Sequence, residues 1–174
     1  GRTVYAATGS SLAIASGRLS FVLGLQGPCA AYETACSSAL VASHAATRGL
    51  AHSECAMHVA AGVNLMLAPT TSFCLALAGM QSPSGRSHTF DNRADGFARG
   101  EGCVVTVLQC AAGVAVIKGT AVRQDGRSAS LTAPNGTAQS AMHRIAMARA
   151  SLLPSQVHLI ESHGTGTKLG DPTE

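Results

Sequence analysis

The chain has 174 residues, the size of one ordinary domain, and 46% are hydrophobic against 12% charged, which excludes a disordered chain. Twelve basic and nine acidic side chains leave a formal charge of +3 with no basic block and no aromatic-basic interleaving, so nothing favours a nucleic-acid partner. No apolar run reaches the roughly 18 residues of a membrane span, and the opening Gly1-Arg2-Thr3 has neither an initiator Met nor a signal pattern.

Aromatics are 3% with no Trp, while glycines number 19, so the expected core is Ala, Val, Leu and Met in tightly layered α/β packing. In chain order, Ser10 and Ser11 are placed to cap a short helix running toward Gly17, and residues 24–28 read as a turn. Small residues at 29–32 read as a strand. The apolar spacing of Leu40, Val41, His44, Ala45 and Arg48 predicts a helix over 37–48, with Gly49 as its C-terminal cap. Residues 55–61 read as a buried strand ended by Gly62, and 70–80 as a helix or irregular segment before a polar loop at 81–93. The β-rich run 102–109 predicts a strand, with further strands at 113–122 and 157–161 and a helix at 139–150. Strands alternating with helices imply an α/β layered fold. The six cysteines form no C-x-x-C pair and are expected as buried, reduced thiols in a reducing intracellular compartment.

The stretch Tyr32-Glu33-Thr34-Ala35-Cys36-Ser37-Ser38-Ala39-Leu40 puts Cys36 where a strand turns sharply into a helix. Helix-terminal N–H groups and the positive end of the helix dipole then point at the sulfur, so the thiol is expected to ionise more readily than a free cysteine. The same amides could hold an oxyanion on an acyl group, although a small buried residue in a tight turn fits the pattern equally. The second cluster is Glu161-Ser162-His163-Gly164-Thr165-Gly166-Thr167-Lys168-Leu169-Gly170-Asp171, with His163 just past the predicted strand, where open α/β sheets place ligand sites. Its glycines permit close backbone approach, and Thr165 and Thr167 could fix the imidazole or a substrate. Neither phosphate-loop spacing is present. Among the other histidines, His44, His52, His58, His88 and His143 are read as packed or loop residues, and no pair has a metal-ligand spacing matched by carboxylates or thiols, so no metal is expected.

Gly27-Pro28, Thr34 to Val41, the run from Phe90 to Gly102 (Phe-Asp-Asn-Arg-Ala-Asp-Gly-Phe-Ala-Arg-Gly-Glu-Gly), Leu131 to Gly136, His163 to Thr167 and Leu169-Gly170-Asp171-Pro172 together resemble the ordered signatures of β-ketoacyl synthases of the polyketide synthase type. The resemblance covers nearly the whole chain. It implies a thiolase-like fold of layered αβαβα architecture, with most of the first half at about 1–110 and the start of the second at about 111–174. It implies decarboxylative Claisen condensation, with Cys36 carrying the acyl chain as a thioester and His163 polarising the thioester carbonyl of a malonyl-type extender. Thr165 and Thr167 would contact substrate, while Glu33, Asp95, Arg99, Glu101, Asp171 and Glu174 would be structural, the last two anchoring the loop of His163. No cofactor would be bound directly. Acyl groups would arrive on the phosphopantetheine of an acyl carrier protein, alongside acyltransferase domains, and a strand at 27–32 would pair with its twin in a homodimer.

The family also uses a second histidine, in an Asn-containing motif further on, and a lysine; the sequence stops at Glu174 before either, so the chain is expected to be an internal piece of a longer enzyme, inactive alone and prone to aggregate. Glu33 stands where Asp is usual and Thr173 where an aliphatic residue is usual. Two other functions share these residues: a catalytically silent partner of the same fold that sets chain length, and a cysteine thioester hydrolase using Cys36 and His163.

Overall fold

The computed structural model describes residues 3–174. Helix α1 (Ala6–Ser10) is separated by extended Ser11 from α2 (Leu12–Leu23), which stops at a left-handed Gly24 whose N–H donates to the Ser20 carbonyl. The short helix expected toward Gly17 is thus longer, and no Ser11 side-chain cap forms. One interior glycine costs only about 1 kcal/mol, too little to end a helix whose stop signal lies seven residues on.

Two other glycines also do something different from what their positions suggest. Gly49 is buried inside α3 (Ser38–Ala51), which ends at His52, and a Cβ on it would run into the His58 imidazole. Gly62 lies within β1 (Met57–Asn64), where a Cβ would stand 2.8 Å from that of Ala39 on α3. Both positions let helix and strand approach closely rather than punctuating them.

Helix α4 (Pro69–Leu77) starts on a proline, and β2 (Gly102–Gln109) has the bounds its sequence predicts and pairs with β1 in a two-stranded sheet. The strands expected at 29–32, 113–122 and 157–161 have no ladder among the described residues. Residue preference supplies an extended tendency, but a strand exists only where a second segment takes up its hydrogen bonds.

Helix α5 (Gly136–Ala150) begins three residues before the sequence pattern suggests, because Asn135 caps it: its Oδ1 accepts from the N–H groups of Thr137 and Ala138 at 3.1 and 3.2 Å. Asp125 holds that cap, its Oδ2 accepting from the Asn135 N–H at 3.1 Å and its carbonyl from Nδ2 at 2.9 Å. Asn135→Ala removes all three side-chain bonds and is expected to lower unfolding stability by about 1–2 kcal/mol, measured by chemical denaturation.

The chain divides into two compact units, one running to Val63 and resuming over Cys103–Val116, the other made of Asn64–Gly102 and Ile117–Glu174. The first has a small core of Ala46, Ala60 and Leu108, with Leu50 packed against it. The second is organised around buried polar residues, Ser82 and Asp171. Large apolar side chains are exposed in both, among them Phe21 and Val104 in the first and Leu77 and Leu131 in the second. The cysteines follow suit. All six are free, five are exposed and Cys55 is half-buried, against the expectation of buried thiols; Cys74 on α4 and Cys103 on β2 have apolar neighbours that are also uncovered.

Candidate active site

Cys36 is the middle residue of a 3₁₀ turn, Ala35–Ser37, that runs directly into α3. The reversal is made by Ala35, whose φ of 43° is unusual for a residue with a Cβ. Ser38 fastens the turn: its Oγ accepts from the N–H groups of Thr34 and Ala35, at 3.0 and 3.4 Å, and donates to the Ala35 carbonyl at 2.9 Å. Ser37 donates its hydroxyl back to the Thr34 carbonyl and does not cap the helix. The thiol is exposed at the positive end of a 14-residue helix, a placement that can stabilise negative charge developing on an acyl oxygen. Glu33, just before the turn, is exposed.

His163, in the other unit, is exposed and opens a loop fixed from within by two carboxylates. Buried Asp171 accepts from the Gly166 and Thr167 N–H groups at Oδ1, at 2.9 and 3.3 Å, and from the Phe90 N–H at Oδ2, at 2.7 Å. Glu174 Oε2 accepts from the Gly164 N–H at 3.0 Å. The hydroxyls of Thr165 and Thr167 lie 3.1 Å apart, and that of Thr167 also accepts from the Gly170 N–H at 3.0 Å. Thr173 donates to the Leu169 carbonyl at 2.8 Å, a bond that an aliphatic residue could not make. Asp171→Asn keeps one acceptor oxygen and turns the other into an NH₂ facing a backbone N–H. It is expected to cost about 1–3 kcal/mol, read as a lower denaturation midpoint.

The charged residues between Asp91 and Glu101 divide into separate ties. Arg99 donates to the Ser72 hydroxyl of α4 at 2.6 Å, and Glu101 accepts from the Met66 N–H at 2.5 Å, so both secure the segment around α4. Asp95 is exposed on the turn before Gly96. Asp91 and Arg93 form a bidentate pair, with contacts of 3.0 and 2.8 Å, and the Arg93 guanidinium and backbone N–H hold the Asp91 carboxyl far below the usual carboxylate range. The support this pair gives is therefore present above the ordinary carboxylate range and lost only as pH falls through the depressed value; being exposed, it is small.

The sequence reading missed the segment just before Asp91. Thr89 Oγ1 donates to the Gly164 carbonyl at 2.5 Å, and the Ser87 carbonyl lies where a Cβ on Gly166 would have to be. Only the glycines at 164 and 166, with φ of 53° and 72°, hinted that something presses on that loop. Ser38 could have been found as a Ser opening a helical pattern. Among the described residues no group of His, Cys, Asp or Glu could hold a metal ion, and no helix is long and apolar enough to cross a membrane.

Two family models match the chain end to end: β-ketoacyl synthase, N-terminal domain, over residues 1–113, and β-ketoacyl synthase, C-terminal domain, over residues 114–174. Among curated proteins it is 44% identical over 178 residues to a mycocerosic acid synthase-like polyketide synthase of Mycolicibacterium smegmatis, covering 98% of this chain and 8% of that protein. It is 47% identical over 175 residues to one of the phenolphthiocerol/phthiocerol polyketide synthase subunits of Mycobacterium tuberculosis, covering 96% of this chain and 9% of that one. The chain thus spans less than a tenth of these two relatives' length. Among solved structures it resembles the ketosynthase from module 6 of the bacillaene synthase of Bacillus subtilis, with a TM-score of 0.88 and 37% identity over 95% of this chain and 31% of that one. It also resembles the oxazolomycin ketosynthase domain OzmH KS7 of Streptomyces albus, with a TM-score of 0.92 and 36% identity over the same shares.

Proposed function

The chain belongs to the β-ketoacyl synthase family, and on that premise we propose that it supplies the nucleophile and a histidine for decarboxylative Claisen condensation in the polyketide ketosynthase that carries it. Its fold is thiolase-like α/β, as in the ketosynthases it resembles. Cys36 thiolate attacks the carbonyl of an acyl thioester delivered on the phosphopantetheine of a carrier protein, and the carrier thiol leaves. The positive end of the α3 dipole stabilises the oxyanion of that step. His163 then donates a hydrogen bond to the thioester oxygen of a malonyl-type extender on a carrier. Loss of carbon dioxide leaves the bonding electron pair in an enolate, whose oxygen that imidazole stabilises. The enolate carbon attacks the Cys36-bound acyl carbonyl, the Cys36 thiolate leaves, and the β-ketoacyl product remains on the carrier.

Thr165 and Thr167 face the extender arm in this reading, and Asp171 and Glu174 hold the loop that presents His163. Acyltransferase and carrier domains, a second copy paired along residues 27–32, and a reducing compartment that keeps the six thiols free belong to the same proposal.

The observation that carries it is the exposed Cys36 on a strained turn feeding directly into α3. The test is product analysis on the enzyme that carries this sequence, given a carrier-bound acyl starter and a malonyl-type extender. A carrier-bound β-ketoacyl product is expected. Free acid alone would mark a hydrolase, and unchanged substrates a silent partner; either result overturns the proposal.

A further inference from the structure

The segment just before Asp91 has no part in that chemistry, yet it carries two of the strained residues of the chain. His88 and Phe90 have φ of 27° and 53°, in the left-handed region that residues with a Cβ avoid, and Thr89 lies between them. Such strain persists only where the surroundings over-determine it. Here the Phe90 N–H is pinned to the Asp171 carboxylate at 2.7 Å, and the Ser87 hydroxyl accepts from the Ala98 N–H at 3.0 Å. Between these fixed points the Thr89 hydroxyl donates to the carbonyl of Gly164, the residue after His163, at 2.5 Å. The Thr89 methyl occupies the other side of that contact, 2.6 Å from where a Gly164 Cβ would stand. Gly164 is therefore held by a hydrogen bond from one side chain, whose methyl also fills the space a Cβ there would need. Its own φ of 53° leaves it no steric preference that would hold it there unaided.

From this juxtaposition we infer that Thr89 is a positioning residue for His163, setting the Gly164–Thr165 peptide, one residue past the imidazole, so that the ring meets the extender in one orientation. The inference rests on the reading of His163 given above. It assigns Thr89 no contact with substrate. A misplacement on the scale of an ångström at such a site lowers the rate of the step it serves by about a hundredfold. The step served is extender decarboxylation and condensation, not acyl transfer to Cys36.

The test compares Thr89→Val, Thr89→Ser and His163→Ala in the full-length enzyme, with Cys36 acylation followed by intact mass and condensation by product formation. Thr89→Val, which keeps the shape and loses the hydroxyl, is expected to slow condensation by about tenfold to a hundredfold while acylation proceeds at the parent rate. Thr89→Ser, which keeps the donor, is expected to restore most of the loss. If Thr89→Val condenses at the parent rate while His163→Ala does not, the inference fails and the reading of His163 survives. If His163→Ala itself condenses normally, that reading fails first. Equal losses in Thr89→Val and Thr89→Ser, or acylation falling in step with condensation, also overturn the inference, since the hydroxyl would then not be acting through the histidine loop.

Discussion

Replacing Cys36 with alanine is expected to abolish condensation, with a loss of at least about a thousandfold, and to leave no acyl adduct on that peptide by mass spectrometry. The acyl chain must wait on the enzyme while the extender binds, and among the described residues the sulfur at position 36 stands in the 3₁₀ turn that opens α3. Alanine fits the turn without strain beyond what Ala35 already bears, so the fold should survive and the loss be chemical. Cys36→Ser is expected to stay nearly as low, because a hydroxyl forms its anion far less readily than a thiol near neutral pH. Decarboxylation of the extender should continue in both variants, since the proposal assigns that step to His163. Persistence of the acyl adduct in Cys36→Ala would place the nucleophile elsewhere.

Gly166→Ala is expected to be the most destabilising small substitution in the second unit, costing about 3 kcal/mol or more. Gly166 is buried, its φ is 72°, and a new Cβ would overlap the carbonyl oxygen of Ser87. That neighbour is backbone and has no alternative rotamer. Gly166 also donates to Asp171 and accepts from the Gly96 N–H at 3.0 Å, so any shift that relieves the overlap breaks bonds on both sides. Gly164→Ala should cost less, because the atom it meets belongs to the Thr89 side chain. Gly100→Ala, with open space around it and no positive φ, is the control and should stay within about 0.5 kcal/mol. Chemical denaturation of the three variants orders them. Equal midpoints for Gly166→Ala and Gly100→Ala would show that the Ser87 contact gives way freely.

The amino-acid sequence by itself determined the elements whose causes are local. Helices α3 and α5 follow from apolar spacing and good helix formers, and β2 from an unbroken β-rich run, because these depend on neighbours within a turn or a strand. The sharp turn at Cys36 opening into α3 was legible for the same reason, being a local pattern, although no strand precedes it among the described residues. Tertiary structure alone decided what depends on distant partners. Three β-prone stretches form no ladder among the described residues, and Gly49 and Gly62 proved to be contacts between α3 and β1 rather than stops. The hold on the histidine loop was equally hidden, since Thr89 lies 75 residues from Gly164, and Phe90 81 from Asp171. Hydrogen bonds across such separations leave no periodicity in the chain, only glycines whose purpose appears when the facing atoms are known.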